Sequence, residues 1–238
     1  MNLRRTGEGV VLESPSGDVL IRHVIGVGMN YALHAKEQGK APPERPVFFT
    51  KNAYSAALDG EDIVIPRVCQ DRPQVDFEAE LAVVLGARGA AKDVPRERAY
   101  EHVLGFAAAN DVSARWWQKE GSGGQFYRGK SFDTFCPLGP RLAPPQAVGD
   151  PHALRVRCRV NGQTMQDAST GDMIFDIPTL IAEATRGTTL PPGTVILTGT
   201  PSGVGMARTP QVFLNEGDVV EIELEKIGVI RNRVRVER

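Results

Sequence analysis

The chain has 238 residues, 41% of them hydrophobic, which is enough for one sizeable domain with a true core or for two small ones. Lys plus Arg number 28 against 29 Asp plus Glu, so no basic field directs the chain to nucleic acid or to a membrane surface, and an anionic ligand must be held by local charges. Three cysteines without a CxxC pair argue against a disulfide framework or a structural zinc site, and the lack of a signal-peptide core or a spanning apolar run predicts a soluble, cytoplasmic protein.

In chain order, strand-like runs fall at 10–12, 19–25, 62–65, 75–85, 103–109, 154–160, 195–198, 219–224 and 229–236. Helical signals are fewer. "NYALHAKEQG" predicts a short helix ending at Gly39, and "PRERAYEHV" a helix opened by Pro95. "DMIFDIPTLIAEATRG" predicts a helix over 177–185, with Pro178 in its first turn and Gly187 past its end. Many short strands with segregated helices and no repeat indicate an α+β, strand-rich fold around a curved, mixed sheet. At the C-terminus, acidic residues on one arm face Arg231, Arg233 and Arg235 on the other, a charge pattern that suits a hairpin better than a binding site.

The run "VDFEAELAVVLG", from Val75 to Gly86, carries the first chemical signal. Val75, Phe77, Ala79, Leu81, Val83 and Leu85 form one apolar face. Asp76, Glu78, Glu80, Ala82 and Val84 share the other, with successive Cα atoms about 6.5–7 Å apart. A solvated strand face accounts for most surface Glu pairs. This face turns apolar at Ala82 and Val84, which indicates cover, and covered carboxylates require cationic compensation. A hard divalent cation bound by oxygens is the economical candidate. Asp111, at the polar end of "VLGFAAAND", is either a turn residue or a third ligand. "GQFYRGKS" matches the phosphate-loop pattern literally, but no core strand precedes it and Pro137 and Pro140 forbid a helix after it, so a nucleotide-binding role for Lys130 is rejected.

Seven ordered blocks, "VGMNYALHAKE", "DFEAELAVVLG", "ANDVSAR", "GKSFDTFCPLGP", "VNGQTMQDASTGDMIF", "LTGTPSGVG" and "FLNEGDVVEIELEKIGVIRNRV", resemble the fumarylacetoacetate hydrolase family in its short form, without the N-terminal domain of the mammalian enzyme. The resemblance implies a single catalytic domain over 1–238, a mixed β-sandwich roll with a few peripheral short helices. Residues 1–60 would form N-terminal strands and a lid, and 61–238 the roll. It implies a homodimer and Mg²⁺ or Mn²⁺ held by Glu78, Glu80 and Asp111. It implies a water-activating pair of His34 and Glu37 on a lid that becomes helical over substrate, a substrate-facing Lys130, and substrate contacts from Arg115, Gln118 and Thr200. His23, His102 and His152 are read as ordinary surface residues. One departure stands out. Relatives often carry Asp after the "SAR" arginine, and Trp116 stands there, so Arg115 is expected to lack a usual partner. Arg128 and Tyr127 are candidates to meet a far carboxylate or else loop surface.

The family's chemistry starts from a 2-oxo acid whose enolate is stabilised by the metal. The His34–Glu37 pair favours a hydrolase that cleaves the C–C bond of 2,4-dioxo acids of the acylpyruvate or fumarylpyruvate type. The alternatives are a decarboxylase of oxaloacetate or a related 2-oxo dicarboxylate, a 2-hydroxyhepta-2,4-diene-1,7-dioate isomerase of aromatic catabolism, and a non-catalytic protein with the same fold.

Overall fold

The computed structural model describes residues 1–14 and 17–238. Its centre is a mixed seven-stranded sheet, in the order Val47–Lys51, His23–Gly28, Thr194–Leu197, Ala79–Leu85, Val103–Asn110, Cys136–Ala143 and Ala56–Leu58. A five-stranded sheet, ordered Gln163–Ser169, Arg155–Val160, Val219–Leu224, Gly228–Val236 and Ile63–Ile65, packs on one face. A three-stranded N-terminal sheet of Leu3–Thr6, Gly9–Leu12 and Val19–Leu20 covers the other. The strand-rich roll read from the sequence is therefore present.

The alternation along 75–85 explains why the Ala79–Leu85 strand lies at the middle. Phe77, Ala79, Leu81, Val83 and Leu85 enter the core shared with the five-stranded sheet. Ala82 and Val84 enter a second core with Val10, Leu12, Leu138 and Leu197. Both faces are thus covered, and every residue of this strand is buried. Solvent exposure as the explanation for Glu80 is removed.

Several elements differ from expectation. The strand expected over 19–25 breaks at Ile21 and Arg22. There Ile21 N–H donates to Val10 and Arg22 N–H to Gly193, so the chain leaves the small sheet for the large one. The segment opened by Pro95 is a 3₁₀ helix, Arg96–His102, rather than an α-helix. The Cys136–Ala143 strand was hidden by Pro137 and Pro140. Its pairing with Val103–Asn110 shifts register between Phe106 and Ala108, and that irregularity accommodates Pro140. The Ile177–Thr185 helix matches expectation, with Asp176 as its N-cap. In the C-terminal hairpin Arg231 faces Glu221 at 3.9 Å, whereas Glu223 turns to Arg157 and Arg159 on the neighbouring strand. His23, His102 and His152 are half-buried rather than fully exposed. No helix among the described residues is long and apolar enough to cross a membrane.

Candidate active site

Three chain segments converge where the Val75–Leu85 run changes partners. Val75 and Asp76 pair with Ser113–Ala114, and Ala79–Leu85 pairs with Val103–Asn110. Between them the backbone is pinned by Glu78 N–H donating to Asn110 Oδ1 at 3.0 Å and Asp111 N–H donating to the Glu78 carbonyl at 2.9 Å. This junction brings Glu78, Glu80 and Asp111 together, with one oxygen of each lying within 4.8 Å of the others. All three are buried.

The cluster is larger than the sequence reading held. Lys130 Nζ donates to Glu78 Oε2 at 2.7 Å and Asp111 Oδ2 at 2.6 Å. Lys51, absent from the expected site, donates to Asp111 Oδ1 at 2.5 Å from the Val47–Lys51 edge strand. Asp76, also not assigned, is fully buried and accepts from Arg115 Nε and Nη2 at 2.9 and 2.7 Å and from the N–H groups of Phe77, Gly205 and Met206. Asp76 shares the face of Glu78 and Glu80, and that parity was the available signal. For Lys51 the only signal was a lysine ending the apolar run "VFF".

Arg115 is therefore not short of partners, and the expectation based on Trp116 is corrected. Arg115 donates to both Asp76 and Glu78, and Nη1 reaches Gln118 Oε1 at 3.0 Å. Trp116 points elsewhere, with the Arg72 guanidinium 4.7 Å from its ring centre. Most of the five guanidinium donors are thus committed to the protein, which makes Arg115 chiefly the orienter of Glu78 and Gln118.

Four carboxyl groups, Asp76, Glu78, Glu80 and Asp111, face three cations, Lys51, Lys130 and Arg115, so one negative charge lacks a partner. The charge imbalance falls on Glu80. Burial, then Asp111 and Glu78, push its pKa well above the ordinary carboxylate value, and among the described residues its only hydrogen bond is from Gly199 N–H at 2.7 Å. Burial also opposes ionisation of Glu78, but Lys130 and Arg115 overcome it and lower its pKa. Lys130 is raised, because Asp111 and Glu78 outweigh its burial. A buried set of three hard oxygen donors with uncompensated negative charge fits a divalent cation.

Gly199 illustrates how the backbone serves this site. Its φ is +96°, and a Cβ there would lie 2.7 Å from Asn30 Cβ. Its neighbour Thr200 lines the pocket, but the hydroxyl donates to the Ala79 carbonyl at 3.0 Å and accepts from Gln166 Nε2 at 2.7 Å.

The segment expected to form a lid is helical over Ala32–Glu37, and His34 is buried against the pocket. His34 Nδ1 lies 2.7 Å from Glu37 Oε1, and Glu37 Oε2 accepts from Gly203 N–H at 2.9 Å. A carboxylate at Nδ1 makes that nitrogen the donor, which leaves Nε2 with its lone pair in the neutral ring. Gln38 Nε2 sits 2.7 Å from His34 Nε2 and covers the atom that would take a proton. Gln38 was not singled out in the sequence. Its i+4 spacing from His34 on the helix was the signal. His34, Glu78, Arg115, Gln118, Lys130 and Thr200 all line one pocket. Arg128 does not join them, since its guanidinium lies over Phe132 and Trp117, 4.6 and 5.4 Å from their ring centres. Lys130 ends the short Phe126–Lys130 helix, and no helix follows Ser131, unlike a phosphate loop.

The family model "Fumarylacetoacetate (FAA) hydrolase C-terminal" matches residues 23–235. The chain is 48% identical over 211 residues to the oxaloacetate tautomerase fahd2, mitochondrial, of Xenopus laevis, covering 89% of this chain and 65% of that protein. It is 41% identical over 215 residues to the oxaloacetate tautomerase YisK of Bacillus subtilis (strain 168), covering 90% of this chain and 69% of that one. Among solved structures, a putative HpcE protein from Mycobacterium smegmatis superposes with a TM-score of 0.87 at 31% identity over the full length of both chains. Fumarylpyruvate hydrolase from Pseudomonas aeruginosa, solved with Mn²⁺ and pyruvate, superposes with a TM-score of 0.84 at 28% identity, again over both full lengths.

Proposed function

We propose that this chain, which belongs to the fumarylacetoacetate hydrolase family, interconverts the keto and enol forms of oxaloacetate or a closely related 2-oxo dicarboxylate. The observation that carries the reading is His34, paired with Glu37, lining one pocket together with Glu78 of the buried Glu78, Glu80 and Asp111 cluster. The identity of 41–48% to oxaloacetate tautomerases supports this reading.

A divalent cation, Mg²⁺ or Mn²⁺, held by Glu78, Glu80 and Asp111 would supply Lewis-acid polarisation of the 2-oxo acid. The chain's own residues do the rest. Substrate entry moves Gln38 off His34 Nε2. That nitrogen takes the proton from C3, and Glu37 at Nδ1 stabilises the imidazolium that forms. The proton returns to the oxygen on C2 to give the enol, and the reverse sequence gives the ketone. Lys130 uses two of its three donors on Glu78 and Asp111 and has one left for a substrate carboxylate. Gln118 and Thr200 complete the substrate wall.

A second reading, hydrolysis of acylpyruvates, rests on the same pair, since a base that removes a C3 proton can equally activate water. Decarboxylation of oxaloacetate shares the enolate and needs no base. The test follows the enol absorbance of oxaloacetate with Mg²⁺ or Mn²⁺, beside pyruvate release from oxaloacetate and from fumarylpyruvate. Enol–keto exchange far faster than pyruvate release from either substrate is the expected result. Faster cleavage of fumarylpyruvate would put hydrolysis first.

A further inference from the structure

Asp76 is the buried carboxylate to which the proposed reaction gives no role. It is not among the residues that line the central pocket, and it lies outside the Glu78, Glu80 and Asp111 triad. Both of its oxygens are filled by the protein. Oδ1 accepts from Phe77 N–H and Gly205 N–H, each at 2.8 Å, and Oδ2 accepts from Arg115 Nε and Nη2 and from Met206 N–H at 2.9 Å. Five N–H donors around one fully buried carboxylate compensate its desolvation and leave it no lone pair for a ligand.

The donors come from two sides of the site. On one side is Arg115, 39 positions along the chain. Its guanidinium is planar, so fixing Nε and Nη2 on Asp76 also fixes the direction of Nη1, which donates to Glu78 Oε1 at 2.7 Å. On the other side is the segment from Gly203 to Met206, whose last two residues lie 129 and 130 positions from Asp76. Gly205 lets that segment close on Asp76, since a Cβ there would lie 2.6 Å from Asp76 Oδ1 and overlap the Val212 carbonyl. Gly203, two residues earlier, donates its N–H to Glu37 Oε2 at 2.9 Å, and Arg208 Nε donates to the Gly203 carbonyl at 3.1 Å. Glu37 in turn meets His34 Nδ1 at 2.7 Å. The helix that carries both residues has six residues and no side-chain cap, too short to hold its shape alone, so Glu37 takes its place from what it docks on.

We infer that Asp76 is a positioning residue for the base: it locks the Gly203–Met206 segment against Arg115, and through Gly203 it sets Glu37, and with it His34, in register with Glu78. This inference rests on the reading of His34 as the base.

The first measurement needs no substrate. The proton on His34 Nδ1, shared with Glu37, is followed by proton NMR in the Mg²⁺-loaded protein and assigned by its loss in His34→Gln. Asp76→Asn should move that resonance upfield or broaden it through faster exchange with water, although Asp76 bonds to neither His34 nor Glu37. An unchanged resonance in the folded variant would overturn the proposal, whatever reaction is catalysed. The second measurement follows hydrogen–deuterium exchange at C3 of oxaloacetate in D₂O. Asp76→Asn should lower kcat about 10²-fold, the scale of misplacing a catalytic group by about 1 Å. Combined with Glu37→Gln it should lower kcat no further than Glu37→Gln alone, because both changes act on one proton transfer. Losses that multiply, or a wild-type kcat in folded Asp76→Asn, would overturn the proposal. Where Asp76→Asn does not fold, Asp76→Glu replaces it, keeping the charge opposite Arg115 on a longer arm, with the same expectations. A chain that folds with neither substitution would make Asp76 a residue of stability alone and overturn the proposal as well. Absence of exchange from oxaloacetate in the wild type would instead remove the enolisation reading, and the His34 resonance then decides the role of Asp76.

Discussion

Glu78, Glu80 and Asp111 are chemically alike but differently held, so their substitutions should not behave alike. Glu80 makes no ion pair among the described residues and is driven toward its neutral form, so Glu80→Gln keeps the Gly199 hydrogen bond and removes no charge pair. Its unfolding free energy should change by less than about 1 kcal/mol while metal binding is lost. Glu78→Ala strands Lys130 and part of Arg115, and Asp111→Ala strands Lys51 and Lys130. Each should cost about 3–5 kcal/mol, the scale of breaking a buried ion pair. Ligand removal alone would suggest relief of repulsion, but the lysines reverse the sign. Thermal melts with Mn²⁺ and with EDTA check this. At a metal concentration 100 times Kd the wild type gains about 2.7 kcal/mol, and Glu80→Gln should gain nothing. A Glu80→Gln protein that melts higher with Mn²⁺ would remove Glu80 from the ligand set.

Glu37 separates reactions that need a base from one that does not. Glu37→Gln retains an acceptor for Gly203 N–H but no longer stabilises an imidazolium at His34. Tautomerisation and fumarylpyruvate hydrolysis should each lose about 10²–10⁴-fold in kcat. Oxaloacetate decarboxylation, whose developing charge lies on the enolate, should lose much less. Lid disorder would raise KM for all substrates, so kcat carries the comparison. Equal kcat losses in all three reactions would mean that His34 is not the base.

At the scale of elements, two close approaches serve the site and one cap serves stability. Gly129 lies in the Phe126–Lys130 helix against the Arg115–Gln118 helix, where a Cβ would sit 2.4 Å from Gln118 N and 2.7 Å from the Ala114 carbonyl. Gly129→Ala must push the helices apart, moving Lys130 and Gln118 together. Activity should fall at least tenfold, while Tm drops by only a few degrees (roughly 1–3 kcal/mol of overpacking). Unchanged kcat/KM in a variant of lowered Tm would show that the helix spacing does not matter to chemistry. The second approach is at Gly199, where the chain turns to present its N–H to Glu80.

The cap is Asp176, whose side chain accepts from Thr179 N–H at 2.9 Å at the start of the Ile177–Thr185 helix. Burial would raise its pKa, but the hydrogen bonds from Thr179 and the pairing with Arg96 outweigh it and lower the value. A depressed carboxylate contributes stability that is complete above its unfolded pKa, near 3.9, and is lost as pH falls through the lower folded value. Asp176→Ala should therefore cost about 1 kcal/mol at pH 7, and the difference should shrink below about pH 4. Denaturant titrations of both proteins at pH 7 and pH 3 measure it. A gap that widens in acid would mean that the cap does not act through the carboxylate.

For the whole molecule, the edge strand Val47–Lys51 is the exposed flank of the large sheet. Val47 and Phe48, on its two opposite faces, remain 38% and 36% exposed, while Lys51 on the same strand reaches Asp111. A free strand edge with apolar side chains invites pairing. The homodimer implied by the family resemblance is expected to cover it and to steady Lys51. Sedimentation should give a dimer, and Phe48→Glu a monomer with reduced activity. A monomeric wild type, or a dimer unaffected by Phe48→Glu, would place the contact elsewhere or remove it.

The sequence alone determined what local alternation and spacing can carry. Parity along 75–85 divided two cores and set Glu78 and Glu80 on one face, and His34 and Glu37 share a face because a helix repeats every 3.6 residues. Pro178 and Gly187 framed a helix whose ends are local events. Only the tertiary structure decided the charge balance. Lys51 lies 60 positions from its partner Asp111 and Asp76 lies 39 from its partner Arg115, and nothing near either residue in sequence names that partner. Which carboxylate goes without a cation is a property of the assembled cluster, since Coulomb interaction depends on distance in space and on desolvation. The open cavity beside the site is likewise built from residues 37–40, residues 118–126 and Met206, segments that meet only when the sheet has curled.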